Sequence, residues 1–260
     1  MISDAGTSED GRYGEGTLFS DAEVADLYDV QNPWDLGGHP ENGFVSALVM
    51  EAASVLDVGC GTGSMLHVAR RDGHTGRLAG IDPDASMLDR ARRRDDIEWV
   101  LGKAEDIAWT EEFDLATMTS NAFQCLITDE ELHASLVAIR NALRPAGRFV
   151  FGTRHVQARA WESWNPANAF DTTLPDGRVL RMWHSVKSVV GDVVTMTETT
   201  GLPDGTALRV NLGTLRFFDV PTLGKLLTEV GFQVEEQYGD WRRGPVTPES
   251  QGIVTIARKV

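Results

Sequence analysis

A chain of 260 residues, 42% hydrophobic, suits one α/β domain with an elaboration and can bury a full core. A formal net charge of −15 speaks against an extended nucleic-acid surface, and no apolar run approaches the roughly 20 residues that span a bilayer. Two cysteines, Cys60 and Cys125, form neither a metal spacing nor a disulfide framework, and the polar first residues lack an apolar leader. The expectation is a cytoplasmic protein that handles a small molecule, with no nucleic-acid or membrane partner. Its oligomeric state is left open.

Residues 1–30 carry eight acids against Arg12 alone, and 1–17 are expected to form a disordered acidic tail. Ser20-Asp-Ala-Glu23 is a capping box that starts a helix, which Asn32-Pro33 ends. A second helical run covers 41–53. From Val55 the alternation is regular: strand 55–58, helix 64–72, strand 77–81, helix 84–94, strand 97–101, strand 113–118, helix 128–142 and strand 147–153. Strands alternating with helices imply right-handed crossovers and a parallel sheet. Three β-rich runs at 178–190, 192–200 and 207–218 then break the pattern, separated by Gly191-Asp192 and Leu202-Pro-Asp-Gly205. A helix at 220–230 and strands at 232–238 and 253–257 complete the chain.

The chemistry centres on Val55-Leu-Asp-Val-Gly-Cys-Gly-Thr-Gly63, a buried strand running into a glycine turn and a helix start. Glycines permit unusual dihedrals and let a ligand approach the backbone. A dinucleotide fingerprint wants G-x-G-x-x-G; here the glycines fall at 59, 61 and 63, with an acid two residues before the first. Asp57-Val-Gly-Cys-Gly-Thr-Gly63 closely resembles motif I of the class I S-adenosylmethionine-dependent methyltransferases. That resemblance covers roughly 50–154 and 219–258. It implies a Rossmann-like α/β fold with a seven-stranded, mostly parallel sheet, into which the runs at 155–218 insert an antiparallel β lid for the substrate. Residues 18–154 and 219–260 would form the cofactor-binding domain.

The resemblance also implies that Asp57, Gly59, Cys60, Gly61, Thr62 and Gly63 contact S-adenosyl-L-methionine or its product S-adenosyl-L-homocysteine. Asp82, about 20 residues beyond the glycines at a strand end, matches the ribose acid, with Pro83 beside it; the alternative is that Asp82-Pro-Asp84 caps the next helix, for which Asp84 is the better residue. Met87 is placed to touch the adenine or to pack in the core. Gly102-Lys-Ala-Glu-Asp-Ile107 resembles the adenine segment, with Ala104 offering its amide and Glu105 or Asp106 replacing the acid lost at Lys103. Thr119 faces the methionine half, and Asn121 and Phe123 the incoming acceptor. Tyr28 and Trp34 are candidates over the cofactor and substrate. Leu143-Arg-Pro-Ala-Gly147 resembles a structural turn in which Pro145 stops the helix and Gly147 takes the bend.

The substrate candidates are Arg154, Arg181, Trp183, Tyr238 and Trp241, since aromatics with arginines hold flat or anionic molecules. A hydroxyl or carbon acceptor would need a base, for which His155 and His184 are placed; an amine acceptor would not. Among competing classes, a nicotinamide-dependent oxidoreductase shares the sheet but not the glycine spacing, and no G-x-S-x-G supports a hydrolase. A binding module for the same cofactor without transfer activity is the non-enzymatic alternative. The six histidines are scattered, so no metal site is expected.

Overall fold

The structure, a computed structural model, describes residues 19–260, so the expected acidic tail lies outside the described residues. In chain order the elements are α1 (Asp21–Gln31), α2 (Pro40–Glu51), β1 (Ser54–Val58), α3 (Ser64–Arg71), β2 (Arg77–Asp82), α4 (Ala85–Ala91), β3 (Glu98–Leu101) and β4 (Phe113–Met118). Then come α5 (Asp129–Ala142), β5 (Leu143–Arg154), β6 (Phe170–Thr173), β7 (Val179–Val190), β8 (Val193–Gly201) and β9 (Ala207–Arg216). The last three are α6 (Val220–Glu229), β10 (Phe232–Tyr238) and β11 (Gly252–Lys259). The chain divides into two compact units, one of 32–159 with 216–260, the other of the segment up to 31 with 160–215.

The first unit is a seven-stranded sheet in the order β10-β11-β5-β4-β1-β2-β3. β3, β2, β1, β4 and β5 run parallel, and β11 pairs antiparallel with both β5 and β10. The period of two along each strand feeds two cores. Leu56, Val58, Phe149 and Phe151 face one layer with Leu136, Ile139, Leu223 and Leu227 of α5 and α6. Val55, Leu115 and Val150 face the other with Val45, Val49, Met65 and Leu66 of α2 and α3. β1 is covered on both faces, so all five of its residues are buried, the polar Ser54 and Asp57 included. The order of connection reverses between β1 and β4, so the crevice outside their carboxyl ends is where such a sheet binds ligands.

The second unit is a four-stranded sheet, β6-β7-β8-β9, antiparallel between β6, β7 and β8. It has one strand more than the three expected runs, because β6 is a short and mostly exposed edge strand. α1 packs here: Phe19, just before it, and Leu27 share a core with Leu174, Leu180 and Met182. Arg209, buried, donates to the Phe19 carbonyl (3.2 Å) and pairs with Asp21 (2.6 Å).

The turn after α5 departs from expectation. Ala146, not Gly147, holds the left-handed backbone, at φ 64°. Gly147 serves packing, since a Cβ there would lie 2.9 Å from the Arg144 carbonyl oxygen. An alanine in that region costs about 1–2 kcal/mol, which the paired β5 around it must absorb.

Candidate functional site

The glycine loop leaves β1 and is clipped to the end of β2: Gly59 and Cys60 both donate their amides to the Ile81 carbonyl, at 2.8 and 3.2 Å. Gly59, Gly61 and Gly63 all sit at positive φ, between 54° and 73°. Beneath them, Cys60 turns its thiol into a small core with Leu88, Ala91 and Trp99, so only its main chain remains for a ligand. Burial pushes that thiol well above the usual range, which makes it packing and not a nucleophile. Thr62 is buried, and its hydroxyl oxygen has no partner within the protein.

Asp82 stands at the end of β2 with both carboxylate oxygens engaged. Oδ2 accepts from Gly61 N–H and Oδ1 from Asp84 N–H, each at 2.8 Å. It therefore ties the glycine loop to the second strand end. Helix capping falls to Asp84, whose Oδ1 accepts from the amides of Ser86 (2.9 Å) and Met87 (3.3 Å). Pro83 is exposed between the two acids, and Met87 is half-buried in the first turn of α4.

Asp57 is 1% exposed and accepts a hydrogen bond from Thr117 Oγ1 at 2.8 Å. Burial pushes its carboxyl up from 3.8 to about 7, opposed by Thr117 and reinforced by the charges of Asp82 and Glu41. A carboxyl raised in this way binds its proton more tightly folded than unfolded. Its contribution to stability is complete below the unfolded value and is lost as pH rises through about 7. The ligand-free protein should thus lose stability between about pH 4 and pH 7 through this group. Thermal melts across pH should show a flatter profile for Asp57→Asn; an unchanged slope would mean the carboxyl is not raised.

At the end of β3, Ala104, Glu105 and Asp106 form one 3-10 turn. Asp106 is occupied in capping it, accepting from Lys103 N–H at 2.8 Å, while Glu105 is exposed. Of the two acids, Asp106 is the one committed to the turn. After β4, Thr119 is buried, and Ser120 and Asn121 both adopt left-handed backbone, at φ 54° and 61°. Two consecutive non-glycine residues there mark a loop held by its surroundings. Phe123 corrects the expectation of an acceptor contact. It is 0% exposed and stacks on Phe151 at 4.2 Å in the aromatic core.

Two residues that carry no motif complete this edge. Glu41, 7% exposed at the start of α2, accepts from Ser120 N–H at 3.0 Å. Gln124, fully buried, accepts from Arg154 Nη1 (3.0 Å) and donates to the Arg216 carbonyl (3.0 Å), bracing the end of β5. Burial holds the Arg154 guanidinium below its usual range.

The remaining candidates of the large sheet are His155, Trp34, Trp241 and Tyr238. His155 follows β5, is 4% exposed, and has an Nδ1 without a partner within the protein. Trp34 donates its indole N–H to Ser46 Oγ (2.9 Å) and packs against the α2 core. Trp241 lies over β5, where a Cβ on Gly152 would meet its ring at 2.5 Å. Tyr238 bonds Glu236 through its hydroxyl and has Arg243 over its ring.

The other candidates belong to the second unit. Tyr28 lies on α1, half-buried. Arg181 forms a two-pronged pair with its cross-strand partner Asp171 (2.7 and 2.8 Å). Trp183 covers Gly201 across β7 and β8. His184 faces Glu198 on β8 at 3.2 Å, a cross-strand pair open to solvent on the carboxylate side.

These features fit S-adenosylmethionine. Three left-handed glycines form a cradle in which side chains would intrude, a buried hydroxyl in the same loop lacks a partner, and acids stand at the ends of β1 and β2. When bound, that cofactor supplies a methyl group on a sulfonium leaving group.

Comparison with known proteins agrees. The family described as "Methyltransferase domain" matches residues 55–147. A cypemycin N-terminal methyltransferase from a Streptomyces is 34% identical over 101 residues, 38% of this chain and only 40% of that protein. The dTDP-3-amino-3,4,6-trideoxy-alpha-D-glucopyranose N,N-dimethyltransferase of Streptomyces venezuelae is 30% identical over 171 residues, 64% of this chain and 70% of that protein. Among solved structures, the CcbJ methyltransferase from Streptomyces caelestis superposes with a TM-score of 0.75 at 21% identity, covering 95% of this chain and all of that one, which shows a shared fold. With its glycine cradle, strand-end acids and sheet order, the chain belongs to the S-adenosylmethionine-dependent methyltransferases.

Proposed function

We propose that the protein transfers the methyl group to an amine nitrogen of a small molecule, and that α1 and residues 160–215 carry most of the acceptor recognition. The observation that carries this reading is the likeness to two relatives named for methylating amines, one at a peptide N-terminus and one on an amino sugar. The chemistry is consistent. A neutral amine attacks a sulfonium methyl without help from a base, so alignment and exclusion of water suffice. Arg181, Trp183 and His184 remain the acceptor-side candidates, and no helix among the described residues is long and apolar enough to cross a membrane.

The test is a panel of primary and secondary amines, including free and nucleotide-linked amino sugars, set beside phenols, quinols and carboxylic acids. Mass spectrometry should show one or two methyl groups added to an amine, with homocysteine-type product formed in step. Transfer confined to hydroxyl or carbon acceptors would overturn the amine assignment.

A further inference from the structure

Glu41 stands at the cofactor edge outside every motif named above. An acid in the first turn of a helix is ordinarily a solvated complement to the helix dipole. This one is 7% exposed, and its Oε1 is spent on the Ser120 amide at 3.0 Å. Burying a carboxylate is costly unless a partner or ligand compensates it. The protein supplies part of that compensation: burial raises the Glu41 carboxyl, while the Ser120 amide and the charge of Arg154 lower it. Glu41 in turn acts on Asp57, as Asp82 does. Three buried acids from α2, β1 and β2 thus share one electrostatic neighbourhood with the Arg154 guanidinium, which Gln124 holds in place. The balance is negative at the strand ends where the cofactor binds. A second feature, in the glycine loop itself, points to a ligand: the Thr62 hydroxyl is buried and has no partner within the protein.

The methyl donor and its product differ in one unit of charge, the sulfonium becoming a neutral thioether. We propose that Glu41 is a positioning and charge-selecting residue: its carboxylate fixes the loop after β4 and biases the site toward the cationic donor over the neutral product. The bond to Ser120 N–H performs the first task, holding the left-handed pair Ser120 and Asn121. The charge performs the second, and helps the product to leave. The inference is independent of which acceptor is methylated.

Calorimetric titration of S-adenosylmethionine and S-adenosylhomocysteine into the full-length protein separates the two tasks. Glu41→Gln retains an oxygen to accept from Ser120 and removes only the charge. Donor affinity should fall about tenfold, the size of effect one unit charge exerts across roughly 10 Å near a protein surface. Product affinity should stay within about twofold on the same reasoning. Glu41→Ala, which also releases Ser120, should weaken both ligands. Equal changes for donor and product in Glu41→Gln, or none in either, would overturn the inference. Should that variant not fold, Arg154→Met gives the opposite test: it makes the edge more negative, so the donor-to-product affinity ratio should rise. A ratio that falls or stays constant would then overturn the inference. A wild-type protein that binds neither ligand would instead refute the cofactor assignment.

Discussion

Gly63→Ala is expected to destabilise the protein by about 2–4 kcal/mol and to abolish measurable cofactor binding. Gly63 is the N-cap of α3 at φ 73°, a region that costs an alanine roughly 1–2 kcal/mol. A methyl group there would also drive into the six-membered ring of Trp99, with Cζ3 only 2.9 Å away. Trp99 has little room to retreat. Its indole N–H is bonded to the Arg94 carbonyl at 2.9 Å, and its ring meets His67 edge-on. Overpacking of that kind adds about 1–3 kcal/mol. Denaturant unfolding and calorimetry on the same preparation would check both halves. A variant with wild-type stability and affinity would show that neither the dihedral nor the ring constrains the loop.

Asp82→Ala should weaken binding of both S-adenosylmethionine and S-adenosylhomocysteine by about 2–4 kcal/mol, roughly 30- to 1,000-fold. Two effects combine. The acceptor that we propose for the ribose hydroxyls is lost, and so are the carboxylate's bonds to the amides of Gly61 and Asp84, which set the loop's shape before any ligand arrives. Because the ribose is common to donor and product, both ligands should lose affinity heavily, the neutral product included. That pattern is unlike the one expected at Glu41. Asp82→Asn should be intermediate, since its single carbonyl oxygen replaces one of two acceptors. An unchanged dissociation constant with the fold intact would mean the acid is only a turn residue.

The large sheet was legible because its strands obey simple rules. Val55-Leu-Asp-Val58 is apolar on both faces and runs directly into glycines, and each later strand is separated from the next by a helical period or a turn. What escaped notice did so for physical reasons. Phe170-Asp-Thr-Thr173 is four residues long and mostly exposed, so it lacks the apolar alternation by which a strand is read. Glu41 reads from sequence as an ordinary first-turn acid; burial is a tertiary property. Gln124 had no pattern at all, since its role is to satisfy the ends of β5 and β9 from inside the fold. Phe123 misled in the opposite sense: an aromatic after a strand end suggests a ligand contact, yet a stack of Phe149, Phe151 and Phe218 was waiting for it. At Ala146 the pattern was right about a bend and wrong about which residue takes it.

The second unit is assembled from two stretches of chain separated by more than a hundred residues, α1 and 160–215. During synthesis α1 must wait, its Leu27 and the preceding Phe19 unpartnered, until Leu174, Leu180 and Met182 have emerged. Closing so long a loop is slow compared with local folding, so β1 to β5 can pair while this small core is still open. The same division governs engineering. Transplanting 160–215 alone into a relative would strand a half-core and leave Arg209 buried without the Phe19 carbonyl and Asp21 carboxylate that satisfy it. A swap intended to change the acceptor has to carry both pieces, and cut the chain in three places.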